Sequence, residues 1–314
     1  MTGKSTLLVL VVVHRNDNFV QFLPAHCQIG VKFLPKNLTR RKFLATVGLA
    51  VAGSGLYVRV IEPHWLTIGR HTVKLGLKGD SPPLKILHLA DLHVSHVVSL
   101  GFIGEAIRLG LGLQPDLICL TGDFITHGYE ALDGYAEVLK PLAASAPTFA
   151  CMGNHDGGLW ASRRHGYKNT NRVREVLDQA GVTLLHNSAR TVRLGDRDLR
   201  LVGLGDVWAG EMQPMIAFAT PDPSADATIV LSHNPDTKVY MKAYPWDLLL
   251  SGHTHGGQVK LPFIGAPVSS VKDRRFMEGL HPWEGRWIHV TRGVGNLWGI
   301  RFNCPPEVSL VTLV

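Results

Sequence analysis

Two histidines separated by one residue, His253 and His255, lie between glycines in the segment GHTHGG at 252–257, directly after the apolar run WDLLLS. In an extended segment, residues i and i+2 point to the same side, and flanking glycines give the backbone the freedom to turn both rings toward one point. A lone histidine at a strand end is usually a hydrogen-bonded residue, whereas this pair favours metal binding. Two ligands do not fill a coordination shell, so further ligands are expected elsewhere.

Other short apolar runs also end in residues that could bind a metal ion. Carboxylate, imidazole and amide groups together suit borderline divalent ions such as manganese, iron or zinc. Calcium prefers oxygen alone, and a structural zinc usually takes cysteine and histidine. The candidates are Asp91 and His93 in DLH, Asp123 in GDF, Asn154, His155 and Asp156 in GNHD, and His233 in SHN.

The elements that must position these residues alternate between strand and helix in the first half of the chain. Apolar runs at 84–90, 116–122 and 147–153 predict buried strands, and helical periodicity at 102–113 and 129–142 separates them. This βαβαβ order predicts parallel strands with functional residues at their carboxyl ends. The second half contains more strand than helix, with strand-like runs at 199–206, 227–236, 246–255, 286–293 and 307–314.

The motif order D-x-H, GD, GNHD, H and GHxH across residues 91–255 resembles the calcineurin-like metallophosphoesterase family. The resemblance implies an α/β fold, a four-layer αββα sandwich in which helices flank two mixed sheets, with a metal site at the carboxyl edge of the strands. It also implies a dinuclear centre. One ion would be bound by Asp91, His93 and His255, the other by Asn154, His233 and His253, and Asp123 would bridge them.

The chemistry of such a centre is phosphoryl transfer to water. Two divalent ions ~3.5–4 Å apart can hold a hydroxide and clamp the oxygens of an in-line displacement. Asp123 is the only one of these carboxylates that lies between the two ligand sets in sequence, and its charge would offset repulsion between the ions. We therefore expect hydrolysis of a phosphomonoester, phosphodiester or pyrophosphate bond with two manganese, iron or zinc ions. The alternative of another class is an inactive metal-binding scaffold, but no expected ligand is missing.

His155 is the candidate catalytic residue outside the ligand sets. Its ring could contact a phosphate oxygen or protonate the leaving group as a general acid, with Asp156 holding a ring nitrogen. The alternative is that His155 only supports a metal ligand. Arg163, Arg164 and His165 follow the same turn and could contact a second phosphate or an anionic head group, unless they form a solvated loop.

The segments GLGDVWAG at 203–210, LSHNPD at 231–236 and RGVGNLWGIRF at 292–302 resemble one branch of the family. That branch holds exported or membrane-associated enzymes, including a UDP-2,3-diacylglucosamine pyrophosphatase and a cell-wall phosphoesterase. A lipid-linked substrate is therefore the alternative to a small phosphorylated one. Trp208, Trp298 and Phe302 could form an apolar wall for a lipid, although packing in the core is the slightly favoured interpretation.

The net charge of +7 is confined to the first part of the chain. Residues 1–80 contain 11 Lys and Arg against 3 Asp and Glu, whereas residues 81–314 contain 21 against 22. The near-neutral charge of residues 81–314 argues against nucleic acid as a partner. We also expect the protein to be a monomer.

The segment TRRKFL at 39–44 precedes a Gly- and Ala-rich apolar run at 43–57, and together they resemble a twin-arginine export signal. The run is shorter than the ~20 residues that span a bilayer comfortably. We expect an N-terminal extension at 1–38, disordered or mis-started, and a signal or anchor at 39–60. A linker with the first strand at 61–81 and the phosphoesterase domain at 82–314 would follow. The protein would be exported across the cytoplasmic membrane to the periplasm or cell surface, with or without remaining anchored.

Overall fold

The computed structural model describes residues 39–77 and 82–314, so the expected extension at 1–38 lies outside the described residues. The chain divides into two units, residues 1–48 and residues 49–314. Helix α1, Arg40–Leu56, continues as a π-helical turn at Tyr57–Ile61 and a 3₁₀ turn at Glu62–His64. This continuous helix of 25 residues, Arg40–His64, is long and apolar enough to cross a membrane by length and composition. The apolar run at 43–57 is shorter and did not predict this. No residue of α1 is buried.

The remaining elements form two six-stranded sheets with helices on their outer faces. Helices α2 to α6 are Leu100–Leu111, Tyr135–Ser145, Gly158–Ser162, Asn171–Gln179 and Pro214–Ala217. The strands β1 to β12 are Thr67–Val73, Leu84–Leu89, Leu117–Thr121, Thr148–Cys151, Thr183–Leu184, Ser188–Leu194, Arg197–Gly203, Ala227–Leu231, Leu248–Ser251, Gly279–Trp283, Arg286–Val290 and Glu307–Leu313.

Both sheets are mixed. The first has the order β1-β12-β2-β3-β4-β5, in which only the β12–β2 pair is antiparallel. The second has the order β10-β11-β9-β8-β7-β6, with antiparallel pairs at both edges and parallel pairs between them. The predicted parallel run of the first half is therefore confirmed as β2, β3 and β4.

Three apolar clusters hold these layers together. Between the sheets, side chains such as Ile86, Cys119 and Ile229 interdigitate, whereas alternate residues such as Leu87 and Leu120 face the helices. Strands that are buried on both faces read as continuous apolar runs, which explains why these strands could be located in the sequence. The fold is the expected α/β sandwich of two mixed sheets flanked by helices.

Helix boundaries follow local signals. The hydroxyl of Ser99 caps α2 by accepting a hydrogen bond from the backbone N–H of Phe102 at 3.2 Å, which satisfies a donor that the helix leaves free. The helix expected at 129–142 begins only at Tyr135, because Gly134 adopts φ 77° immediately before it. That left-handed conformation does not continue a right-handed helix.

Candidate metal centre

The candidate ligands occupy equivalent positions at the ends of strands. Four residues, Asp91, Asp123, His233 and His253, each lie two residues after the strand that precedes them, namely β2, β3, β8 and β9. These strands are buried and come from both sheets, so their carboxyl ends deliver polar side chains to a common edge of the sandwich. This is the edge at which α/β folds bind ligands.

Two compact groups of metal-binding atoms result. Within each group, the ligand atoms all lie within 4.8 Å of one another, and every member is buried. The His93 and His255 Nε2 atoms are 3.1 Å apart, and His253 Nδ1 lies 3.2 Å from His233 Nε2. The first group is Asp91, His93 and His255, and the second is Asp123, His233 and His253.

The Asp123 carboxylate lies between the groups. Its Oδ2 atom is 3.0 Å from His233 Nε2 in its own group and 3.4 Å from His93 Nε2 in the other. The carboxylate therefore lies within reach of ligand atoms from both groups.

Hydrogen bonds outside the groups orient the rings. The Nδ1 atom of His233 donates to the backbone oxygen of Thr121 at 2.8 Å, and His93 Nδ1 lies 2.9 Å from the Thr126 hydroxyl. These bonds leave both Nε2 lone pairs directed into the site, the usual arrangement of metal-binding histidines. Asp91 is held in turn by the backbone N–H of His253, at 3.0 and 3.1 Å from its two oxygens.

Several buried atoms at the site have no hydrogen-bond partner within the described part of the chain. They include the amide oxygen of Asn154, which is 1% exposed, together with His253 Nε2 and His255 Nδ1. Because an unpartnered buried polar atom costs ~1–3 kcal/mol, the Asn154 oxygen fits a metal ligand better than a packing residue. The donor set thus suits borderline divalent ions.

Burial also sets the protonation of the site. It raises the pKa of Asp91 to about 7, an effect that the nearby Asp123 charge reinforces and His233 opposes. Burial lowers the pKa of His93 and His253 to about 3 despite the opposing charge of Asp123. The two rings are therefore neutral at physiological pH, which is the form that binds metal.

The backbone at the site is strained. A positive φ is uncommon outside glycine, and each such residue costs of order 1–3 kcal/mol. Five of the six grouped residues have a positive φ: Asp91 at 52°, His93 at 49°, Asp123 at 55°, His253 at 71° and His255 at 50°.

Two glycines lie against the Asp91 side chain. A Cβ atom at Gly252 or at Gly293 would overlap that side chain.

His155 lies beside both groups. Its backbone N–H donates to Asp123 Oδ1 at 2.8 Å, and its ring centroid is 4.9 Å from that of His93. Trp160 contacts the other side of the ring edge-on at 4.7 Å. The ring thus borders the site without belonging to either group, which leaves it available to a substrate.

The prediction that Asp156 holds the His155 ring is wrong. The buried Asp156 carboxylate accepts backbone N–H bonds from Gly153 at 2.8 Å, Asp123 at 2.9 Å and Phe124 at 2.7 Å. His155 Nδ1 has no partner among the described residues. Asp156 therefore ties the GNHD turn to the GDF turn and acts on the site through the position of Asp123.

The three candidate substrate residues are exposed and follow the short helix α4. The guanidinium carbon of Arg164 lies 4.0 Å from the centroid of the Trp160 ring, which in turn contacts His155. Arg164 is therefore near the site. Arg163 and His165 lie in the same turn as Arg164.

Trp160 and Trp208 form an aromatic wall beside the site, and the sequence indicated only Trp208. The Trp208 ring contacts His253 edge-on at 4.3 Å and lies 5.8 Å from Trp160. Trp208 is 41% exposed and Trp298 is 73% exposed, so the favoured assignment of both to the core is wrong. Trp160 was missed, although its place four residues after Asp156 could have indicated it.

Two buried charged residues were also missed. Asp206 accepts backbone N–H bonds from Trp208 at 2.7 Å and Ala209 at 2.8 Å, and so shapes the loop after β7. Arg301 donates to backbone oxygens of the loop 292–295, which packs against Asp91. Both lie in the segments at 203–210 and 292–302 that carry the branch resemblance.

A cavity of about 370 Å³ adjoins the site, where the His127 ring lies 5.1 Å from that of His155. Its lining includes His96, Val97, His127, Tyr129 and Trp298.

Comparison with known proteins agrees with this geometry. The family model of the calcineurin-like phosphoesterases matches residues 84–257. The chain belongs to this family. It is therefore a hydrolase that acts on phosphoester bonds, and its family relationship is consistent with divalent metal ions at the two groups.

Two relatives and one solved structure are similar to this chain. Phosphodiesterase YaeI of Escherichia coli is 43% identical, over 88% of this chain and 100% of its own. UDP-2,3-diacylglucosamine pyrophosphatase LpxG of Chlamydia trachomatis is 30% identical, over 85% of this chain and 95% of its own. Phosphopantetheinyl hydrolase PptH of Mycobacterium tuberculosis is 12% identical, over 66% of this chain and 88% of that chain, with a TM-score of 0.42.

Proposed function

We propose that the protein is a dinuclear metal-dependent phosphodiesterase whose two ions are held by the groups of Asp91 and Asp123, with Asn154 as a further ligand. The observation that carries this proposal is the position of Asp123 Oδ2, within 3.4 Å of a ring nitrogen from each group. The 43% identity to a phosphodiesterase over the full length of that relative favours a diester substrate.

Two divalent ions, when bound, supply a nucleophile derived from water and neutralise charge on the phosphoryl oxygens. The chain itself contributes the remaining parts. Asp91 and Asp123 provide the negative charge that offsets the cations, and His155 contacts a phosphoryl oxygen or gives a proton to the leaving group. Trp160 and Trp208 limit access of water from one side, and Arg164 beside Trp160 attracts the anionic substrate.

The test compares Asp123→Asn with Asp178→Asn, an exposed carboxylate on α5 that serves as the matched control. We expect at least two ions per chain in the unmodified protein and the control, measured by elemental analysis after reconstitution with manganese or zinc. Asp123→Asn should lower both ion content and hydrolysis of bis(p-nitrophenyl) phosphate. One ion or fewer in the unmodified protein, or full activity in Asp123→Asn, would contradict the proposal.

A lipid-linked pyrophosphate is the second candidate substrate, favoured by the relation of the cavity to the N-terminal helix. Arg59 donates to the backbone oxygen of Trp298 at 3.0 Å, and Arg301 N–H donates to that of Val58 at 3.0 Å. The base of the helix therefore touches the rim of the cavity beside His127. A lipid held in a membrane around this helix would have a short path to the site.

Substrate preference distinguishes the two candidates. Trp298→Ala should lower the rate on UDP-2,3-diacylglucosamine in mixed micelles and leave the rate on the soluble diester unchanged. Equal rates for Trp298→Ala and the unmodified protein on both substrates would remove the lipid candidate.

We also propose that the N-terminal helix associates with a membrane after twin-arginine export. The helix begins with Arg40 and Arg41, although basic side chains are disfavoured at a helix N-terminus. All of α1 is exposed, including Phe43, Leu49 and Val51, and so large an apolar surface is unfavourable in water.

A further inference from the structure

A third group of potential ligands lies between the two sheets, apart from the residues of the metal centre. It consists of His71 on β1, His289 on β11 and Glu307, the first residue of β12, with ligand atoms within 4.8 Å of one another. His289 is fully buried, Glu307 is 5% exposed, and the His71 side chain is 23% exposed. His289 and Glu307 are thus buried, whereas the His71 side chain is partly open to solvent.

The carboxylate of this group is held in its charged form. Burial raises the pKa of Glu307, but the His71 ring, whose Nε2 lies 3.8 Å from Oε1, and the charge of Arg292 outweigh it and lower the pKa to about 2. Arg292 Nε lies 2.7 Å from Oε2, whereas Oε1 accepts a hydrogen bond from the Ser309 hydroxyl at 2.7 Å. A cation at Oε1 would therefore leave the Arg292 contact intact.

The His289 ring has a buried nitrogen with no partner. Its Nδ1 lies 2.9 Å from His88 Nδ1, and His88 Nε2 lies 2.8 Å from the Thr121 hydroxyl. His289 Nε2 has no hydrogen-bond partner in the described part of the chain. Burial lowers the pKa of His88 to about 3 and that of His289 well below its usual range, so each ring carries one proton.

One assignment of those protons explains the free nitrogen. If His289 Nδ1 donates to His88, and His88 Nε2 donates to Thr121, then His289 Nε2 keeps a bare lone pair beside His71 and Glu307. A ligand histidine that donates its other N–H outward is the usual arrangement around a protein metal ion. The opposite assignment leaves a buried N–H unsatisfied at a cost of ~1–3 kcal/mol.

We propose that His71, His289 and Glu307 bind a third divalent ion, for which zinc is the best fit. Two imidazoles and one carboxylate form a known three-ligand zinc set that leaves a fourth position open, and the partial exposure of His71 supplies an entry path. The ion would join β1 and β12 of the first sheet to β11 of the second. The site does not depend on the proposed function, because it shares no ligand with the dinuclear centre.

Gly69 shows how closely the chain is built around the carboxylate. A Cβ atom at this position would overlap Glu307 Oε1. A larger residue would displace the oxygen from its place beside His71, two residues further along β1.

The test measures bound zinc in the full-length chain after chelation, zinc addition and desalting. We expect three ions per chain in the unmodified protein, two in His71→Gln, and three in His281→Gln. His281 is the matched control, since it lies on β10 beside β11 and its Nε2 already bonds the Glu278 backbone oxygen at 2.6 Å. Equal ion content in His71→Gln and the unmodified protein, or the same loss in both variants, would overturn the proposal.

A second measurement separates this site from the dinuclear centre. In a His255→Ala chain, whose first ligand group is incomplete, zinc should still raise the thermal unfolding midpoint. Adding His71→Gln or Gly69→Ala should make that rise smaller while leaving the zinc-free midpoint within a few degrees, because both residues lie on the edge strand β1. The rise that remains would come from the second ligand group, which is intact in all these chains. An equal zinc-dependent rise in the His255→Ala chain and in both double variants would refute the site.

Discussion

Replacing Arg301 with methionine should damage the metal centre without touching a ligand. Arg301 is fully buried, and its guanidinium group donates to the backbone oxygens of Cys304 at 2.9 Å, Arg292 at 2.9 Å, Gly293 at 3.1 Å and Gly295. The same loop donates back to the segment of Asp91, from Gly295 N–H to the Asp91 backbone oxygen at 2.6 Å. Arg301 thus secures the loop that holds Asp91 in its strained conformation.

The size of the effect follows from the carbonyl groups that lose their donor. The Gly293 oxygen also accepts the Glu307 N–H at 2.9 Å and stays satisfied, so three carbonyls, of Arg292, Gly295 and Cys304, are affected. Each costs ~1–3 kcal/mol when left without a partner, and removing a buried charge offsets part of this. Arg301→Met should therefore lower the free energy of unfolding by about 3–6 kcal/mol, a large part of the ~5–15 kcal/mol that stabilises a typical protein.

The assay combines urea unfolding with chelator competition for metal. Loss of a partner that orients a ligand typically weakens metal binding by about 10–100-fold, and we expect that range for one of the two ions. Arg200→Met is the matched control, because Arg200 is buried and donates to one backbone oxygen, that of Thr220, at a distance from both ligand groups. A loss of stability below about 1 kcal/mol in Arg301→Met, or equal weakening of metal binding in both variants, would refute this reasoning.

Three further predictions test neighbouring features of the chain. Gly252→Ala should lower ion content, because its Cβ would overlap Asp91, whereas Gly104→Ala on α2, with no heavy atom closer than 3.8 Å, should keep both ions and gain ~0.5–1 kcal/mol of stability. Elemental analysis measures the ion content, and urea unfolding measures the stability. Normal ion content in Gly252→Ala would contradict the packing argument. His155→Ala should keep both ions while the rate falls ~10²–10⁴-fold for poor leaving groups and less for nitrophenolate; an equal fall on both substrates would indicate phosphate positioning instead. Replacing Arg40 and Arg41 with lysine should retain an active protein in the cytoplasm on cell fractionation, and unchanged export would rule out the twin-arginine signal.

The positions of the candidate ligands could be predicted because most of them follow a strand that is mainly apolar. Buried parallel strands are visible in a sequence, and the loops at their carboxyl ends share one edge. His253 and Asp123 therefore lie where the pattern indicated. The direction of a side chain within such a loop is not encoded locally, and for this reason Asp156 was assigned to the His155 ring when it binds backbone amides.

Features that depend on distant pairing could not be predicted. The group of His71, His289 and Glu307 exists because β1 pairs with β12 in one register and β11 lies opposite, an arrangement that no local pattern specifies. Exposure of Trp298 was equally hidden, since an apolar side chain is compatible with both core and surface.

The strained backbone links the assembly of the two sheets to metal binding. Residues such as Asp91 and His253 would not hold positive φ values on their own, because each costs ~1–3 kcal/mol. Contacts across the sandwich hold them, including the His253 N–H bond to the Asp91 carboxylate. The unfolded chain therefore lacks this geometry, and an ion held by these residues would bind the folded form. Folding and metal binding are then thermodynamically coupled, and an ion present at 100 times its Kd would add about 2.7 kcal/mol to the free energy of unfolding, which offsets the strain of one or two ligand residues.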